Sequence, residues 1–128
     1  ELRNKFTKNP DHILMPISVT RFSAVKALLE LKKTGLKIGI IHLVSLKPFK
    51  LEKNWIKAIK STTHGVLMTD NDYNDGILRT LAHKVNLATN KTINVLGLND
   101  RTAGHHAKVD NLPPDANAIK RKVLEIIK

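Results

Sequence analysis

A chain of 128 residues has the length of one domain and buries roughly two-thirds of its unfolded surface, enough for a core without covalent staples. Cysteine is absent, which excludes disulfides and thiolate metal sites and fits a reducing compartment, the cytoplasm or a mitochondrial matrix. The net charge of +11 invites an anionic partner, yet aromatics are only 4% and the lysines are spread along the chain, which argues against nucleic acid and for a solvated surface.

Residues 1–11 are polar and read as a linker or edge segment, with Phe6 their one large apolar anchor and Pro10 near their end. Because the first residue is Glu1 and not Met, the sequence is read as a piece of a longer polypeptide. A single domain is expected over residues 12–128. No apolar run approaches the roughly 20 residues that cross a bilayer, and no signal-peptide pattern opens the chain, so no membrane is expected.

His12–Val19 (HILMPISV) predicts a first buried strand whose pairing weakens at Pro16, which has no N–H to donate. Thr20 or Ser23 can cap the helix that follows, with Ala24, Val25, Leu28, Leu29 and Leu31 at helical spacing. Lys32, Lys33 and Gly35 form a stop signal: cations near the negative helix end, then a residue that tolerates left-handed geometry. Lys37–Phe49 (KIGIIHLVSLKPF) starts as an apolar strand and ends in a proline turn, and a strand held between two helices is the centre of a βαβ unit.

Leu51–Lys60 predicts a helix with Leu51, Trp55, Ile56 and Ile59 on one side. Lys50, Lys53, Lys57 and Lys60 form a stripe on another, either a solvated back or a surface for an anion or partner. His64–Asp70 (HGVLMTD) reads as a third strand and NDYNDG as a turn, with Asp75 able to cap a helix that carries Ile77, Leu81 and Val85. Thr92–Leu98 is a fourth strand, then comes a long polar connection, and Ala116–Lys128 closes the chain as a helix with Ile119, Val123, Ile126 and Ile127 inward. The pattern is α/β: a three-layer α/β/α sandwich over a mostly parallel sheet of four to five strands.

In open parallel sheets ligands gather beyond the carboxyl ends of the strands. The richest such end is Asp70, Asp72, Tyr73, Asp75 and Gly76, where three carboxylates in six residues suit acid–base work, a hard cation, or plain turn chemistry. The other ends are Val19-Thr20-Arg21, Leu43–Ser45 and Leu98–His106, the last holding Arg101, His105 and His106. Adjacent histidines on extended chain point to opposite sides, so they are poor co-ligands, and His42 adds no metal-ligand spacing. There is no nucleophile elbow, P-loop or GxGxxG. No catalytic residue and no metal ligand is assigned.

The order of signals from Ile13 onward resembles the C-terminal domain shared by transketolase, the beta subunits of 2-oxoacid dehydrogenases such as pyruvate dehydrogenase, and deoxyxylulose-phosphate synthase. IIHLVSLKPFK (Ile40–Lys50) is similar to the family's central VIDLRTLKPLD strand, and AVKALLELKKTGLKI (Ala24–Ile38) to the helix before it. STTHGVLMTDND (Ser61–Asp72) matches the strand that ends in acids, and GLNDR (Gly97–Arg101) with His105 is similar to the Gly-Leu-Pro-Asp-Arg segment. NLPPDANAIKRKV resembles the start of the last helix in the dehydrogenase subunits. Departures are Val19-Thr20 in place of Tyr-Gly, His42 in place of Asp, one glycine at Asp75-Gly76 in place of several, and an edge strand reduced to residues around 3–7.

The resemblance implies a mixed, mostly parallel sheet of five strands and a division of labour. Thiamine diphosphate and Mg²⁺ are held by upstream domains or subunits of the full enzyme, and none is expected on this domain alone. The domain supports a homodimer or heterotetramer, shapes the active-site entrance through Asp70–Gly76 and Asn99–His106, and in the dehydrogenases helps bind the acyltransferase core. It should not be catalytic by itself. Two other readings stand: the equivalent domain of a 2-oxoacid:ferredoxin oxidoreductase, and a free-standing basic module for an anionic ligand or nucleic acid.

Overall fold

Strand β1 (His12–Pro16) is buried along its whole length, and the other elements are arranged to cover it. The structure is a computed structural model that describes residues 9–44, 49–73, 76–98 and 114–128, with the backbone alone at 72 and 73. The remaining elements are α1 (Thr20–Lys32), β2 (Ile38–Ile40), α2 (Lys53–Lys60), β3 (Val66–Tyr73), α3 (Ile77–Thr89), β4 (Ile93–Leu98) and α4 (Ala116–Ile127). The four strands lie in the order β2-β1-β3-β4, and every pairing among them is parallel. The candidate fifth strand around residues 3–7 lies outside the described residues.

Alternation along the strands sorts the core into two faces. Ile13, Met15, Val66 and Met68 point toward α2 and α3, where they meet Ile59, Leu78, Leu81 and Val85. Leu14, Ile38, Ile40 and Leu67 point toward α1 and α4, where they meet Ala24, Leu28, Leu31, Ile119 and Val123. The chain runs from β1 to β2 with α1 on one face, then reverses across β1 to β3 and β4 with α2 and α3 on the other. That reversal makes a doubly wound, three-layer sandwich.

Local chemistry explains the boundaries. Gly35 adopts φ +88° just past α1, the left-handed stop its position predicts. Asp115 accepts from Ala118 N–H at 2.8 Å and caps α4. The pairing of β1 with β2 extends only to Leu14↔Ile40, breaks opposite Pro16, and resumes as one bridge at Ile17↔Leu43. Gly65 has φ +76° and lies so close to β4 that a Cβ there would sit 2.1 Å from the Thr92 carbonyl oxygen, so no side chain fits.

Four local expectations change. Leu29 is 56% exposed, because the buried stripe of α1 runs through Ala24, Ala27, Leu28 and Leu31 and Leu29 lies a hundred degrees beyond Leu28. Helix α2 starts at Lys53, with Glu52 as N-cap, so Leu51 packs on the core from outside it. Strand β3 continues past Asp70 to Tyr73 through an irregularity after Thr69, where a turn was expected. Helix α1 is capped by neither Thr20 nor Ser23: its N-cap is Val19, with no side-chain bond, and Thr20 is buried for another purpose.

The one imidazole inside the sheet is His12, fully buried, with Nδ1–H donating to the His64 carbonyl at 3.3 Å and Nε2 without a partner. Burial lowers its pKa from 6.5 to about 4, against a smaller opposing pull from the His64 carbonyl. Folding therefore favours neutral His12, and its contribution is complete above pH 6.5 and lost as pH falls toward 4. Over that window the loss is on the order of 3 kcal/mol. Urea midpoints of the wild type and His12→Gln from pH 7 to 4 check this. The variant should lose distinctly less stability on acidification, and parallel curves would contradict the assignment.

Candidate functional site

The direction reversal places the topological switch point between the carboxyl ends of β1 and β3, where open α/β sheets commonly bind ligands. In this chain that crevice is filled from within. Ile17 N–H donates to the Thr69 carbonyl at 2.8 Å, and Ser18 then turns the chain with φ +57°. The turn brings Thr20 in over β3: Thr69 Oγ1 donates to Thr20 Oγ1 at 3.1 Å, and Thr20 Oγ1 shares its proton between the carbonyls of Ile17 and Thr69. Both threonines are buried. Where a glycine would leave backbone open to a ligand, Thr20 instead ties the β1 loop to β3.

Beside this tie, His42 is buried near Arg21, and burial first, then the guanidinium charge, lowers its pKa. The Arg21 guanidinium stands 5.0 Å over the Phe22 ring. Phe22, Val19 and Val44 are all exposed on this rim, at 58%, 56% and 82%. Three large apolar side chains at one end of a small domain form a surface for contact rather than a pocket. The sequence places Val19, Arg21 and Val44 at strand ends but does not single out Phe22, which falls off the apolar stripe of its own helix, and that was the available signal.

Of the residues singled out in the sequence, Asp70 is buried at the end of the regular part of β3, its Oδ1 accepting from Asn71 N–H at 2.7 Å. Asp72 and Tyr73 continue that strand, and Gly76 is the N-cap of α3, offering no side chain. Asp75, Arg101, His105 and His106 lie outside the described residues, as does the proposed Asp75 cap. Among the described residues no three His, Cys, Asp or Glu side chains gather as a metal site would require. Lys50, Lys53, Lys57 and Lys60 are all exposed, the last three on the side of α2 away from the core and Lys50 just ahead of the helix.

At the opposite end, a polar groove of about 500 Å³ is lined by His64, Gly65, Asn90, Lys91, Thr92 and Asn94 together with Thr63 and Ile126. Lys91 Nζ donates to the Thr62 carbonyl at 2.9 Å, two residues beyond the end of α2. The bond joins the chain just past α3 to the chain just past α2, a structural task for this side chain.

No protein-family model matches the chain, and no characterised protein matches it by sequence. Solved structures share its fold, two of them as follows. A split-gene transketolase, solved as an inactive β4 tetramer, aligns with 98% of this chain at TM-score 0.76 and 17% identity. A 2-oxoglutarate:ferredoxin oxidoreductase from Magnetococcus marinus aligns with 93% at TM-score 0.69 and 16% identity. The chain spans 41% of the first protein's length and 18% of the second's. The fold is a transketolase C-terminal-domain-like α/β/α sandwich. No described helix is long and apolar enough to cross a membrane.

The threonine tie is testable by stability alone. Thr20→Val keeps the shape and removes the hydroxyl, stranding buried acceptors, and should cost about 1–3 kcal/mol in denaturant unfolding. Thr20→Ser should recover most of it. Equal stability of Thr20→Val and wild type would mean that the contact holds nothing.

Proposed function

We propose that this chain is the C-terminal, transketolase-like domain of a thiamine-diphosphate-dependent enzyme, of transketolase or 2-oxoacid dehydrogenase beta-subunit type, and that it serves assembly and the active-site entrance rather than chemistry. The observation that carries this reading is the switch point. A crevice that would take a ligand is closed by Thr20 and Thr69, and its rim carries Val19, Phe22 and Val44 exposed. An end built this way suits burial against another protein surface.

The likeness to a transketolase over nearly the whole chain, and over less than half of that protein, supports a domain that works beside others. The transketolase type is preferred to the equivalent domain of a ferredoxin-dependent oxidoreductase because more of the chain aligns, and aligns better. The segments from Asp70 to Gly76 and from Asn99 to His106 would face the neighbouring domain or subunit. They include Asp72, Tyr73, Asp75, Arg101, His105 and His106.

On this reading the chain itself does not hold thiamine diphosphate or its Mg²⁺, in keeping with a crevice occupied by the chain's own threonine. Upstream domains or subunits would hold the cofactor, and the whole enzyme would be a homodimer or a heterotetramer. An acyltransferase core is a partner of the dehydrogenase branch only.

Calorimetric titration of the chain with thiamine diphosphate and Mg²⁺ should show no binding up to about 1 mM, near −4 kcal/mol in affinity. A dissociation constant in the micromolar range without upstream domains would overturn the reading. A positive arm uses Phe22→Asp in the full-length enzyme. Assembly, read by sedimentation, should weaken while the fold of the isolated chain, read by circular dichroism, is kept. Unchanged assembly would count against the rim as a contact surface.

A further inference from the structure

The two outer layers of the sandwich differ in charge pattern, and only the fold reveals it. Helices α2 (KNWIKAIK) and α3 (ILRTLAHKVNLAT) share one face of the sheet and contain no carboxylate between them. That face exposes Lys53, Lys57, Lys60 and Lys84, with Lys50 just ahead of α2 and Glu52 the nearest acid in sequence. Helices α1 and α4, on the other face, each carry a glutamate. Two ion pairs lie there: Lys120–Glu30 at 3.6 Å and Lys122–Glu125 at 3.7 Å.

Solvation alone places charge outward but gives no reason for one pair of helices to mix its signs and the other to carry acid only at the Glu52 cap. Like charge repels itself, and a complementary surface relieves the repulsion. The face also presents Leu87, 70% exposed on α3 and one turn from His83 and Lys84. A large apolar side chain bordered by cations has the composition of an anchor with a charged rim.

We propose that the α2/α3 face docks an acidic protein segment that carries apolar residues. Phosphate backbone would satisfy the lysines but has nothing apolar for Leu87. The one tryptophan of this face, Trp55, is packed against the core and not set out to stack on bases. Lys53, Lys57 and Lys60 span the eight residues of α2, about 12 Å of helix. A short acidic helix of similar length matches that span. The proposal is independent of the cofactor reading, since it concerns the opposite side of α2 from the core and not the rim.

The test uses two probes, a synthetic peptide of alternating Glu-Glu-Leu-Leu blocks and a mixed-sequence duplex DNA, at about 150 mM salt, where delocalised attraction is largely screened. Lys53→Gln/Lys57→Gln/Lys84→Gln should weaken peptide binding about tenfold. Neutralising the other face with Lys26→Gln/Lys32→Gln/Arg121→Gln should weaken it less than about twofold. Leu87→Ser, which removes no charge, should weaken the peptide and leave DNA binding unchanged. Equal losses from the two triple variants would overturn the proposal, because binding would then follow net charge. So would a Leu87→Ser variant that binds as wild type, DNA binding tighter than the peptide, or no peptide binding at all.

Discussion

A strand hydrogen-bonded on both sides to parallel neighbours, and covered by helices above and below, must bury every side chain it carries. Strand β1 is held to that condition between β2 and β3, and the remainder of the molecule follows from it. Ile13 and Met15 require an apolar layer on one face and Leu14 requires another, so helices must cross on both. The single polar side chain in the strand, His12, is tolerated because it is neutral and because Nδ1–H reaches a carbonyl at the strand's edge.

The same constraint decides what the carboxyl end can be. Because β2 lies to one side of β1 and β3 to the other, the loops leaving β1 and β3 diverge, and divergence leaves a crevice. In this chain the divergence is short-lived. The tight turn at Ser18 folds the first residue of α1 back onto β3, and two buried hydroxyls take the place a ligand would otherwise have. What remains outside includes three exposed apolar side chains, Val19, Phe22 and Val44. Two different surfaces therefore emerge from one chain: an apolar rim at the strand ends and a cationic flank on α2 and α3.

Much of the architecture was legible because the apolar periodicities are clean. Ile13, Met15, Val66 and Met68 alternate with Leu14 and Leu67, and the stop at Gly35 and the helix at Ala116–Ile127 lie where their residues place them. The site was less legible. Thr20 reads as an N-cap by residue type, and only the approach of β3, forty-nine residues away, gives its hydroxyl a different partner. Leu29 satisfies an i, i+4 pattern with Val25, but the sheet lies under Ala24, Ala27, Leu28 and Leu31. The charge asymmetry between layers was hidden for a related reason: α2 and α3 are consecutive helices, and nothing local states that they share a face. The acids and histidines from Asp72 to His106 that drew attention in the sequence fall largely outside the described residues.

Cohesion within the sheet is unequal, and Pro16 sets the inequality. Strand β3 is laddered to β1 and to β4, whereas β2 is held by three consecutive pairs and then by one bridge beyond the proline. Past the proline, Leu43 N–H still donates to the Pro16 carbonyl at 3.2 Å, so the edge keeps its hold there with one donor missing. His42 and Val44 ride on the chain just past that strand. A partner docked on the rim would also act as a clasp, covering the edge where Pro16 has no donor to give.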